Sequence, residues 1–220
     1  MKLLKTVVGF VGAAMLVAGC EYSGALKPSV AMNTPAVTSA KPKPASTLTP
    51  PTYVVGNEWK YSDGYAIRVT EVIDKGKAKF VRTDVEEQWF IRKAIFKEES
   101  QSRKVHRLVV YQTADPMALF SAKTNQPIVY IREYMRNGEL VRHRTSWVIE
   151  GREKITVPAG TFDTWVLVMR TQSLTSNWRG YERWYYSPKI NGYARLEFKY
   201  GEAPDGARVL MSYKLAKPSG

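Results

Sequence analysis

Cysteine is almost absent from this 220-residue chain, which holds one, Cys20. An intrachain disulfide framework is therefore excluded. Histidine is nearly as scarce, with only His106 and His143. Each sits among cations, in Arg103-Lys104-Val105-His106-Arg107 and Arg142-His143-Arg144, where neighbouring positive charge disfavours the imidazolium. Neither histidine has an acidic neighbour in sequence to poise it as a base. A nucleophile with a base and an orienting group is not signalled, although such a triad can be assembled from distant segments. Zinc would need three or four Cys, His or carboxylate ligands at regular spacing. A glycine-rich phosphate loop and a calcium loop of alternating Asp and Asn are also missing from the pattern. No metal, no cofactor and no catalytic residue are expected.

Acidic residues are short as well: 20 Asp and Glu stand against 33 Lys and Arg, a net charge of +13. Long apolar runs are missing too. The longest, Val7 to Ala18, falls short of the roughly 20 residues a membrane-spanning helix requires. Preceded by Lys2 and Lys5 and followed by small residues, it has the layout of a cleaved secretory signal. The string Leu16-Val17-Ala18-Gly19-Cys20 resembles the bacterial lipobox, which implies cleavage after residue 19 and lipid on Cys20. Residue 21 is Glu rather than the Asp that resembles an inner-membrane retention signal. That points to the outer membrane, facing the periplasm. Cleavage removes two lysines and no carboxylate, so +13 becomes +11. Such a charge favours acidic partners: an envelope protein with an acidic face, an anionic glycan or an anionic lipid. Nucleic acid is not expected in this compartment.

Three segments follow: a signal peptide over 1–19, a lipidated cysteine with linker over 20–52, and a single domain over 53–220. The linker carries Lys-Pro steps at Lys27-Pro28, Lys41-Pro42 and Lys43-Pro44 and ends at Pro50-Pro51, an extended composition that builds no core. The domain holds all six tryptophans. It shows no sustained 3.6-residue apolar period. Instead, short runs rich in Val, Ile, Tyr, Phe, Trp and Thr are punctuated by Asp63-Gly64, Lys75-Gly76, Asn137-Gly138, Asn191-Gly192 and Asp205-Gly206. Strands are expected at 65–73, 77–83, 87–96, 104–112, 128–136, 140–149, 152–157, 162–172, 178–186, 193–200 and 207–215. In 162–170 both faces are largely apolar, as for a strand covered on both sides. Segment 84–104 reads as strand then loop, but one amphipathic helix also suits it. The fold class is all-β, an antiparallel meander curled into a barrel or half-barrel to remove its edges, with room for one short helix.

The stretch Val157-Pro158-Ala159-Gly160-Thr161-Phe162, followed by Trp165, then Trp184-Tyr185-Tyr186-Ser187-Pro188 and Ala194-Arg195-Leu196-Glu197, resembles a signature of exported bacterial β-sheet proteins. Their family is defined only as a domain of unknown function. The opening Val55-Gly56-Asn57-Glu58-Trp59 resembles that family's start of a strand, whereas Ser121 to Asn125 departs from the second copy expected there. The resemblance implies a fold. In it Pro158, Ala159, Gly160, Thr161, Phe162, Trp165 and Trp184 are structural. Pro158 fixes φ, Gly160 accepts positive φ, and Phe162 and Trp165 anchor the returning strand.

Arg103, Lys104, Arg107, Arg132, Arg142 and Arg144 are the candidate anion-binding residues, since alternation places several on one face. The competing reading is a solvated strand face that keeps a sheet soluble. Trp178, Tyr181, Trp184, Tyr185, Tyr186 and Tyr193 suit either a groove or a core. The leading expectation is a non-catalytic outer-membrane lipoprotein whose basic domain binds an envelope protein or anionic glycan. Two alternatives stay open: a carrier for an acyl ligand, and a glycan-active enzyme using carboxylates among Glu150, Glu153 and Glu182.

Overall fold

A computed structural model describes residues 47–136 and 138–217. The signal segment, Cys20, most of the linker and Asn137 lie outside them. The chain forms β1 (Glu58–Tyr61), β2 (Ala66–Asp74), β3 (Lys77–Arg82), β4 (Gln88–Lys93), β5 (Phe96–Ser102) and β6 (Val105–Gln112). It continues with β7 (Ile128–Arg136), β8 (Glu139–Val157), β9 (Gly160–Ser173), β10 (Arg179–Ser187), β11 (Gly192–Tyr200) and β12 (Gly206–Lys214). Each strand pairs antiparallel with its neighbours in sequence, and β1 pairs with β12 to close the barrel. The expected all-β barrel is what forms. Among the described residues its helical content is two short 3-10 turns, Pro116–Ser121 and Pro188–Ile190.

Two strands turn the corners. β6 pairs with β5 through Val105 to Leu108 and with β7 through Val109 to Gln112. Likewise β12 pairs with β11 through Gly206 to Val209 and with β1 through Leu210 to Lys214. The outer wall carries ion pairs such as Arg142–Glu133 at 2.7 Å and Arg183–Glu150 at 2.6 Å, the opposite of the apolar outer band of a membrane barrel.

The sequence expectation needs two corrections. Segments 140–149 and 152–157 are one strand, β8, because the register slips between Ile149 and Gly151 and a bulge absorbs the Gly signal without reversing the chain. Segment 84–104 is neither strand-then-loop nor helix but the hairpin β4–β5. Its turn passes through Ala94, whose φ of 49° is unusual for a residue with a Cβ. Buried among core residues, Ala94 donates its N–H to the Gly76 carbonyl at 2.6 Å.

The β8–β9 turn runs through Pro158 and Ala159, Gly160 has φ of 130°, and Phe162 and Trp165 are buried beyond it. Strand β9 is covered on both faces. Leu167 and Met169 join the interior, while Val166 and Val168 pack outside against Tyr185 with Tyr181. Packing also extends ahead of residue 53: Leu48 and Pro51 are buried, and the Tyr186 hydroxyl donates to the Thr49 carbonyl at 3.2 Å.

Candidate functional site: a cationic lumen

Alternate residues of each strand face the interior. At one end those positions are Trp59, Phe80, Phe90, Leu167, Tyr186 and Leu210, with Tyr53 and Ile190 from flanking turns, and they fill the space. Toward the other end the same strands place charge inside. Arg92 on β4, Lys97 on β5, Arg132 on β7, Glu182 on β10 and Arg208 on β12 line a cavity of about 270 Å³, floored by Tyr130, Trp147 and Trp184. Arg107 on β6 joins them, 5.9 Å from the Tyr134 ring. Trp178 covers the rim, stacked at 4.7 Å on His143 and parallel to Tyr200.

Local sequence explains how these cations come to face inward. Arg92 shares its face with Phe90, Arg132 with Tyr130, and Arg208 with Leu210, each two positions away in its strand. Burying those aromatic and aliphatic groups carries the arginine in with them. Arg92 and Lys97 are directly opposed across β4 and β5, a like-charge pair that destabilises a sheet.

The lumen cations are poorly compensated. Among the described residues Arg92, Lys97, Arg107 and Arg132 form no ion pair, whereas Arg208 reaches Asp63 at 2.8 Å. Glu182 does not neutralise them at contact distance: it accepts from Trp184 Nε1 at 2.6 Å and from the Tyr200 hydroxyl. The buried Nε atoms of Arg92, Arg107, Arg132 and Arg208 have no hydrogen-bond acceptor. Aromatic rings take part of the load, with Arg92 at 4.6 Å from Phe90 and Arg208 at 4.3 Å from Tyr65. Ring contacts do not replace the oxygen acceptors that a buried guanidinium requires.

Electrostatics follow the same geometry. Burial, then the positive charge of Arg92, pushes the Lys97 amine down to about 8. Lys97 lines the cavity and is exposed, so water reaches it. Burial, then Arg132, pushes His143 down to about 4. Its Nδ1 accepts from the Arg132 guanidinium at 3.1 Å, which assigns a neutral imidazole. Burial holds Tyr111, Tyr130 and Tyr200 well above the ordinary phenol range, so they stay neutral donors.

The structure divides the sequence-read arginines among three places. Arg107 and Arg132 are in the lumen. Arg142 and Arg144 are on the outer wall, Arg142 paired to Glu133. Arg103 and Lys104 form the exposed β5–β6 turn. Arg92, Lys97 and Arg208 were not singled out by the sequence reading. The available signal was their in-step spacing with an aromatic or aliphatic residue. His106, expected to lack an acidic partner, has one across the hairpin in Glu99 at 2.7 Å, on the exposed surface. The three carboxylates considered for glycan cleavage are dispersed: Glu182 lines the lumen, Glu150 pairs with Arg183 outside, and Glu153 is exposed. Of the aromatic set, Trp184, Tyr186 and Tyr193 belong to the interior, while Tyr185 packs on the outer face of β9.

No protein-family model matches the chain, and no curated protein matches it significantly. Solved structures do. The hypothetical lipoprotein YmcC of Escherichia coli K12 superposes with a TM-score of 0.50 at 9% identity, over 76% of this chain and 85% of that one. An exported protein of Bacteroides fragilis, described as having a YmcC-like fold, gives 0.43 at 13% identity over 77% and 100%. A protein of Parabacteroides distasonis provisionally described as a lipoprotein gives 0.39 at 17% over 74% and 97%. The shared feature with the Escherichia coli protein is the fold.

Proposed function

We propose that this chain is a non-catalytic lipoprotein of the bacterial envelope, anchored through Cys20 to the outer membrane on its periplasmic side. Its barrel lumen captures an anionic group of an envelope partner, either an acidic sugar of a glycan or a carboxylate of a protein. One observation carries this reading: four cations line a small cavity, and the Nε atoms of three of them, Arg92, Arg132 and Arg208, lack an acceptor. Leaving guanidinium donors buried without acceptors is costly. A bound carboxylate or phosphate supplies oxygens in the fork geometry that guanidinium matches.

The lipobox-like string ending at Cys20 supports the anchoring half of the reading, and the Escherichia coli neighbour's description as a lipoprotein agrees with it. The cationic wall argues against an acyl carrier, whose cavity would be apolar. Tethering confines the domain to the membrane plane and raises its effective concentration toward a partner there. Cys20→Ala is expected to move the protein from the membrane fraction to the soluble fraction. Persistence in the membrane would reject the anchor.

Calorimetric titration with glucuronate and inorganic phosphate tests the lumen. Binding of either probe, weakened about tenfold or more in Arg132→Gln, is the expected result. No binding of either anion, or binding indifferent to Arg132→Gln, would reject the site.

A further inference from the structure

We infer that the barrel carries a second anion site, separate from the lumen: a groove on its outer wall that holds an acidic oligosaccharide. The strand register builds it. Ser146, Arg170, Tyr181 and Lys199 fall in one row across β8, β9, β10 and β11. Arg144, Gln172 and Arg179 fall in the next. Together with Asn177 and Glu202 they border a groove of about 610 Å³, against about 270 Å³ in the lumen. The β11–β12 turn forms one wall and is pinned there, since Gly201 N–H donates to the Arg179 carbonyl at 2.7 Å.

The same wall supplies its own control. Further along these strands the cations are matched, with Arg183 on Glu150 at 2.6 Å and Arg195 on Glu197 at 2.7 Å. In the groove Arg144 and Arg179 have no carboxylate partner among the described residues. Arg170 reaches Glu150 only at 4.0 Å, and Lys199 holds the exposed Asp205 at 3.1 Å. Glu202 is the one carboxylate bordering the groove, against the four cations Arg144, Arg170, Arg179 and Lys199, so this half keeps an excess of positive charge.

The other side chains identify the ligand class. Ser146, Gln172 and Asn177 offer neutral donors and acceptors suited to hydroxyl groups. The Tyr181 ring, 5.7 Å from the Arg170 guanidinium, offers an aromatic surface against which a sugar ring packs. Arginine forks suit carboxylates. A concave site combining the three fits a chain of hydroxylated, carboxylate-bearing rings better than the flat headgroup layer of a bilayer.

Titration of the full-length protein with tetragalacturonate, with maltotetraose as the neutral control, decides it. The acidic oligosaccharide is expected to bind and the neutral one not. Arg144→Ala with Arg179→Ala should weaken binding about tenfold or more, and Tyr181→Ala should weaken it too. Arg195→Ala on the balanced half and Arg132→Gln in the lumen should leave it unchanged. Those controls separate failure here from failure of the lumen site. Loss in Arg132→Gln alone would return the ligand to the lumen and overturn the inference. Absence of tetragalacturonate binding, with or without binding of phosphatidylglycerol vesicles through the same arginines, would overturn it as well.

Discussion

At the filled end of the barrel interior the buried polar atoms satisfy one another. Tyr53 donates to the Ala94 carbonyl at 2.7 Å, Trp59 Nε1 to the Ile190 carbonyl at 2.8 Å, and Tyr61 to the Tyr193 carbonyl at 3.2 Å. At the lumen end, a few residues further along the same strands, four guanidinium Nε atoms are left without acceptors. The strands, their pairing and the solvent are common to both ends, so neither fold class nor strand propensity accounts for the contrast. It separates residues that hold the barrel together from residues the barrel carries at a stability penalty. A group kept in place against its contribution to folding is a candidate for work done on something else.

The largest effect expected from breaking this contrast lies at the filled end. Trp59 is 2% exposed, with its ring 6.2 Å from that of Phe80 and its indole N–H hydrogen-bonded. Trp59→Ala should lower unfolding free energy by about 3–5 kcal/mol through lost burial and the cavity left behind. Urea titration measures this directly. A loss below about 1 kcal/mol would mean that this end does not carry the stability assigned to it.

Much of the wall was legible in the sequence, because β-branched and aromatic runs separated by Gly-containing turns leave few alternatives. The β4–β5 turn was not, since its positive φ belongs to Ala94, a residue with no such preference. Nor was the unity of β8, since a glycine at a bulge reads like a glycine at a turn. The lumen was legible only in part. Arg107 and Arg132 were picked out by local charge density, which equally picked out Arg142 and Arg144 on the opposite side of the wall. What separates them is the pairing of β7 with β8, where Arg132 faces His143 and Arg142 faces Glu133. Arg92 and Arg208, lone arginines in apolar strands, declare themselves only once the inward face is known.

A smaller effect should mark the lumen rim. An unfolded imidazole takes its proton near 6.5, whereas folded His143, buried and next to Arg132, resists until about 4. Above 6.5 both states are neutral there and the residue adds no pH dependence. As pH falls from 6.5 toward 4 the unfolded chain binds the extra proton, so this contribution to stability declines across that window and levels off below it. The decline should amount to on the order of 2 kcal/mol. Urea unfolding of wild type and His143→Gln at pH 7 and pH 4.5 isolates it, because the carboxylates titrate in both proteins. If the wild-type-minus-variant difference does not change with pH, the imidazole is not held neutral by its surroundings.

The smallest effect is a gain in stability on substitution, and it tests the contrast most directly. Lys97 titrates near 8 when folded against 10.5 for a free amine. The unfolded chain therefore holds the extra proton between those values, and this residue's contribution to stability rises with pH through that window. At neutral pH the folded state bears the strain of a charged amine opposite Arg92. Lys97→Met keeps an unbranched side chain one atom shorter and removes the charge. Since water reaches the amine through the lumen, the gain is discounted to about 1 kcal/mol. The same variant should bind glucuronate and phosphate more weakly. More stable but less able to bind is the signature of a residue retained for a ligand; a variant that loses stability while its affinity is unchanged would place Lys97 with the structural residues of the filled end.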